Sequence, residues 1–281
     1  MTKKYEILKD DFITLGDIKL FRIRALKDFS EVKKGDLGGF IQSEANLSHD
    51  GEAWVHKDAK VYDNAKVYGN AHVYDNALIY GEAQVFGKAH VLGNAQIKDN
   101  ARVYDYAGVE GDAKIFGNAQ VSGLAYVREK AQVYGNAKVH GDVLVCGEAL
   151  VKDDAQVYGE ALVSGNALVY DDAKVYNNAK IYGKAQVKDD AQVFGHAHVY
   201  NNAQVYGNAE VFDNAHVFDN AWVFCDAKVY GNANVYGNTW IKDCTHRKGK
   251  AKVCGNERIV NDIKSLLHKM KKSLKSIFHV N

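Results

Sequence analysis

The chain has 281 residues, 36 basic against 35 acidic side chains, and 47% apolar residues, enough apolar material for a continuous core in water. Net charge near zero excludes a general electrostatic pull toward nucleic acid or anionic lipid. No stretch approaches the ~20 apolar residues of a membrane span, and MTKKYEILKDDF lacks the apolar run of a secretory signal, so a cytoplasmic address is expected.

Residues 5–26 place FITL and IKLFRI on either side of a Gly-Asp pair, which predicts a β-hairpin, with the segment 1–38 capping the repeats. Two repeat units come next, Gly39-Phe40-Ile41 and Ala45-Asn46-Leu47. From Ala53 to Ala251 a small residue then recurs every sixth position in 34 consecutive hexads, with Val143, Thr239 and Thr245 as the substitutions. Two positions later stands Val or Ile in 33 of the 34, the exception being Arg247. An Ala-x-Val alternation sends two side chains to one face and the residue between them to the other, which is a short strand. The Gly, Asp and Asn residues after each strand tolerate the positive φ of a tight corner.

The number of hexads per coil is written in the residues outside the core. Lys98, Lys152, Lys188 and Lys242 occupy the usually aromatic slot at separations of 54, 36 and 54 residues, all multiples of 18. Histidines in the slot between Ala and Val, His72, His90, His198 and His216, are separated by 18, 108 and 18. Three hexads therefore make one coil, and residues 39–256 predict an all-β parallel β-helix of about twelve triangular coils, roughly 55 Å long at ~4.8 Å per rung. The absence of proline agrees, because proline removes a ladder donor. Beyond the coils Ile259, Ile263, Leu266, Leu267, Met270, Leu274, Ile277 and Phe278 recur at helical spacing, predicting an amphipathic α-helix over 257–281. Its basic residues form a solvated face of a cap, or a surface for a membrane or an acidic partner.

Each side of the prism has its own outward column. One, from Lys66 to Lys228, is polar on every rung, and a second, from Lys60 to Trp240, gains apolar residues in its later half. The third reads Trp54, His72, His90, Gly108, Tyr126, Leu144, Leu162, Lys180, His198, His216, Asn234. Tyr126, Leu144 and Leu162 form an apolar run of the kind that marks an interaction site, or a chance run of surface apolar residues. The column is nearly symmetric about Leu144, as an isologous two-fold interface would be, so an antiparallel dimer through this side is expected. Rows such as Tyr62, Tyr68 and Tyr74 stack on one another or offer rings to a ligand. No phosphate loop, nucleophile elbow or nucleic-acid motif stands out.

The phrase NAKVYGNAHVYDNA resembles the hexapeptide repeat of the left-handed parallel β-helix superfamily. The N-terminal LFRIRALKDF and GDLGGFIQSEANLSHDGEAWV further resemble the YdcK-type proteins often labelled acyltransferases. The resemblance implies a left-handed coil, and offers a parallel trimer as the alternative to the dimer. It also implies, for an enzyme, an O- or N-acyltransferase that takes acetyl-CoA or another acyl-CoA in a groove between subunits, with a histidine base. His198 and His216, with His196 beside them, are then the catalytic candidates, and His72 with His90 the second pair. No inserted loop between Ala53 and Ala251 builds a substrate pocket, which weighs against catalysis. Without that activity no cofactor is expected, and no His/Cys spacing completes a metal site. Cys225 and Cys244, near one corner with His246 and Cys254, offer a zinc site or disulfide against a reading of idle thiols. The leading expectation is a rigid scaffold for self-association or partner binding, a homo-oligomer with no nucleic-acid role.

Overall fold

The computed structural model describes residues 3–242 and, beyond them, the backbone of three short strands, His246–Arg247, Lys252–Val253 and Arg258–Ile259. Each hexad folds as its alternation dictates: Ala161 and Val163 are buried in the prism and Leu162 points outward. Leu144 pairs in parallel with Leu162, and Val145 with Val163, so each strand lies against the strand 18 residues on. Three sheets result, of 15, 12 and 11 strands, their coil strands all paired in parallel and the first extended by the antiparallel N-terminal hairpin. Face A carries the Lys60–Val61 column, face B the Lys66–Val67 column and face C the Trp54–Val55 column. Valines stacked three per coil, each contributing about 1.5–3 kcal/mol on burial, fill the interior. A single coil cannot offset the entropy of its own ordering with so few of them, so stability comes from the stack.

The corners follow from backbone sterics. Asp99 (φ 57°) and Gly117 (φ 69°) occupy one corner on successive coils, both in the left-handed region. The Gly117 amide donates to Asp99 Oδ2 at 3.0 Å, an arrangement repeated from Gly231 to Asp213. At Gly165 (φ 69°) an added Cβ would stand 3.0 Å from the Gly183 backbone, so the coils meet too closely there for a side chain. Next to these corners asparagine amides form ladders, Asn100 donating to Asn118 and Asn118 to Asn136 at 3.2 and 2.9 Å. The aromatic slots stack on themselves, as in Tyr158, Tyr176, Phe194 and Phe212, at 4.8–4.9 Å and within 3° of parallel.

At the N-terminal end β1 (Tyr5–Leu15) and β2 (Ile18–Ala25) form the expected antiparallel hairpin, turning at Gly16. β3 (Leu37–Ile41) pairs antiparallel with β2 and parallel with Lys60–Val61, which makes the hairpin an extension of face A. The first coil has no preceding coil to donate to its carbonyls, and each face solves this differently. On face A the Phe40 amide donates to Ala59 O at 2.9 Å. On face B the buried Asn46 side chain donates to Ala65 O at 2.9 Å. On face C the buried Lys4 ammonium donates to Ala53 O at 2.8 Å, and burial pulls its pKa down to about 8.

Three expectations need correction here. Ala45-Asn46-Leu47 is no full strand unit: Glu44–Asn46 is a 3₁₀ turn, and only Leu47 bridges to Val67. Trp54 and His72 do not face solvent, being 1% and 6% exposed, because the segment between β2 and β3 folds over them. Phe29 from that segment packs edge-on against Trp54 at 5.4 Å. At the far end Arg258–Ile259 pairs with Trp240–Ile241, so the ladder runs on past residue 256. The rest of the helix expected over 257–281 lies outside the described residues, as do the side chains of Cys244, His246, Arg247 and Cys254. Among the described residues no helix is long and apolar enough to cross a membrane.

Candidate functional site on the histidine and leucine face

Face C carries Tyr126, Leu144, Leu162, His198 and His216 in one column. Its ladder sets Tyr126, Leu144 and Leu162 on three successive rungs, each half-buried. The Tyr126 ring lies over Gly108, where a Cβ would come within 2.3 Å of it. The Tyr126 hydroxyl donates to the Glu110 carboxylate, and burial, followed by that bond, pushes its pKa up to about 12. Beside this run the corner presents Tyr106 and Leu124, 58% and 59% exposed, on adjacent coils. The five side chains make one apolar strip across the middle of the solenoid, which the column of outward residues alone showed only in part. Cys146, two residues after Leu144, is a half-exposed thiol whose pKa burial pushes up.

The structure brings His198 and His216 together, one rung apart with ring centroids 4.8 Å from each other. Tyr182 and Tyr200 stand edge-on to them at 6.1 and 6.2 Å. Burial lowers both histidine pKa values, with the charge of His216 the second cause for His198. Among the described residues no carboxylate hydrogen-bonds either ring, so neither has the orienting partner a general base usually takes. A cleft of about 520 Å³ runs along the neighbouring corner between Lys184, Asn202 and Asn220, and neither histidine lines it.

The second pair behaves differently. His72 stacks on His90 at 5.7 Å, but its hydrogen bond goes to His56, with 3.0 Å between His56 Nε2 and His72 Nδ1. Glu31, from the segment between β2 and β3, places its Oε1 3.7 Å from His56 Nε2 and accepts from the Tyr74 hydroxyl at 3.2 Å. Burial, then the neighbouring His72, depresses the His56 pKa to about 4, and burial, then His90, lowers that of His72. Both imidazoles are therefore neutral at neutral pH. Among the described residues Glu31, His56 and His72 are the set whose ligand atoms converge closely enough to hold a metal.

Sequence reasoning passed over this trio because it compared residues 18 apart. The aromatic slot of one coil also reaches the outward slot of the next, 16 residues on, as Tyr68 does to Gln84 and Tyr176 to Gln192. His56 to His72 is that same diagonal. Glu31 had no repeat to signal it.

A family model described as YdcK Beta solenoid repeat matches residues 155–171, about one coil, in accord with the YdcK-type resemblance of the N-terminal segment. No curated protein matches the chain.

Proposed function

We propose that this β-solenoid works as a rigid scaffold that associates with a second copy of itself through face C, the two chains running antiparallel with Leu144 on the two-fold axis. The observation that carries this reading is the apolar strip of Tyr126, Leu144 and Leu162 flanked by the exposed Tyr106 and Leu124. Exposed apolar side chains on neighbouring rungs are costly in water and are relieved by a matching surface. Symmetry favours a second copy as that surface, since Tyr126 mirrors Leu162 and His90 mirrors His198 about Leu144. The mirror stops short of His72 and His216, because His72 is covered by the cap.

The test is the solution mass of the wild type and of Leu144→Glu combined with Leu162→Glu. A wild-type particle of twice 31.1 kDa that halves in the variant supports the scaffold reading. A variant mass equal to the wild type sinks it. A trimer stabilised by acetyl-CoA, with turnover lost on His198→Ala or His216→Ala, replaces it with an intersubunit acyltransferase.

A further inference from the structure

The cap and the first two coils meet at three side chains of uniform chemical purpose. His56 and His72 are fixed by ladder bonds of their own amides, to Val73 O at 2.8 Å and Ala89 O at 3.0 Å. Their facing nitrogens lie 3.0 Å apart, and Glu31 Oε1 lies 3.7 Å from His56 Nε2. All three potential ligand atoms fall within 4.8 Å of one another. A tetrahedral ion with bonds of about 2.0–2.1 Å holds its ligand atoms roughly 3.3–3.4 Å apart. The two observed separations bracket that edge length.

We propose that Glu31, His56 and His72 bind one divalent transition-metal ion of the zinc class, with a fourth position open to solvent. Two imidazoles and one carboxylate suit zinc, whereas calcium and magnesium take six or more oxygens. Three protein ligands leave room for a water or an exogenous donor, and the adjoining cleft, lined by Glu52, Asn70, Lys88 and His90, is polar. Supporting contacts hold the ligands in place. The Tyr74 hydroxyl donates to the Glu31 carboxylate, and the Tyr74 ring stacks on His56 at 4.1 Å. Such outer contacts fix ligand orientation in metal sites. Glu31 belongs to the segment that covers Trp54, so a bound ion ties the cap to the solenoid.

The full-length protein, stripped with a chelator, is titrated with Zn²⁺ by calorimetry and with Co²⁺ by visible absorption. One equivalent is expected to bind, Co²⁺ taking a tetrahedral spectrum, and Zn²⁺ raising the melting temperature. Glu31→Gln weakens binding at least tenfold, His56→Ala and His72→Ala more, while the His198→Ala plus His216→Ala variant binds as the wild type does. Glu31 has a largely exposed side chain, so Glu31→Gln keeps the fold, verified by circular dichroism, and decides the matter even if a histidine variant unfolds. No saturable binding at one equivalent overturns the proposal. So does undiminished binding by Glu31→Gln, or binding lost only with His198 and His216.

Discussion

Leu144 lies directly beside Leu162, its partner one coil on, and Val145 and Val163 form the same pairing inside the prism. One backbone step thus separates a position whose chemistry concerns only the outer surface from one that holds the coils together. Leu144→Glu alone, compared with the wild type at a dilution where both are monomeric, is expected to shift folding stability by no more than about 0.5 kcal/mol, as surface changes usually do. Val145→Asp buries an unpaired carboxylate and is expected to prevent cooperative folding. Thermal melts followed by circular dichroism check the pair. Equal losses in both variants would contradict the inward and outward assignment.

The corners make a second prediction. Asp99 combines a left-handed backbone with a carboxylate that accepts the Gly117 amide. Asp99→Ala loses both the bond and the short polar side chain that tolerates positive φ, at an expected cost of about 1–3 kcal/mol. Asp99→Asn keeps both features and is expected to cost under half as much. Denaturant midpoints of the two variants measure the difference, and equal midpoints would remove the corner bond from the account.

Alkaline pH should unfold the protein through its tyrosines. Burial is the first cause that pushes Tyr62, Tyr74 and Tyr126 up to about 12, above the ordinary phenol value of 10.0. A folded-state pKa above the unfolded one gives stability that is complete below pH 10 and disappears as pH rises through 12. The melting temperature is expected to fall across that window, with the phenolates of Tyr62, Tyr74 and Tyr126, read as the absorbance lost in their Tyr→Phe variants, appearing together with unfolding. A Tyr62→Phe, Tyr74→Phe or Tyr126→Phe variant that loses absorbance already near pH 10, in a still-folded protein, would contradict the burial of that ring.

The N-terminal cap satisfies three faces by three means, and the longest reach in sequence is that of Lys4 to Ala53 O. Lys4→Ala leaves that carbonyl unpaired and is expected to cost about 1–3 kcal/mol, lost as undocking of the cap rather than of the coils. Removal of residues 1–38 exposes open ladder edges and is expected to give end-to-end polymers. Hydrogen exchange at the Phe40 amide, whose bond to Ala59 O ties the N-terminal sheet to the first coil, and light scattering report these two outcomes. A monodisperse truncated protein would show that the edge is protected by something other than the cap.

The repeat made most of the fold legible, because a hexad is a local rule and its coil number is recorded in the spacing of the odd lysines and histidines. Ala161, Leu162 and Val163 behave as any reader of Ala-x-Val would place them. What escaped were contacts that leave the 18-residue register. Glu31 reaches His56 through a non-repeating cap, Asn46 trades a strand for a side-chain amide, and Tyr106 and Leu124 sit in corner slots that usually hold Asn or Asp. The carboxylate-to-amide bonds of the Asp corners, by contrast, stay in that register, Asp99 and Gly117 standing one coil apart.

The antiparallel association is tested most directly by spin-label distances at two positions of face C, His216→Cys and Asn234→Cys, each labelled singly with the native cysteines replaced by serine. Position 216 stands four coils from Leu144 and position 234 five. At ~4.8 Å per coil an antiparallel pair gives self-distances of roughly 38 Å and 48 Å, longer by about 10 Å at the second site. Equal short distances at both sites mean a parallel assembly, and the absence of any distance means a monomer. Either result contradicts the account.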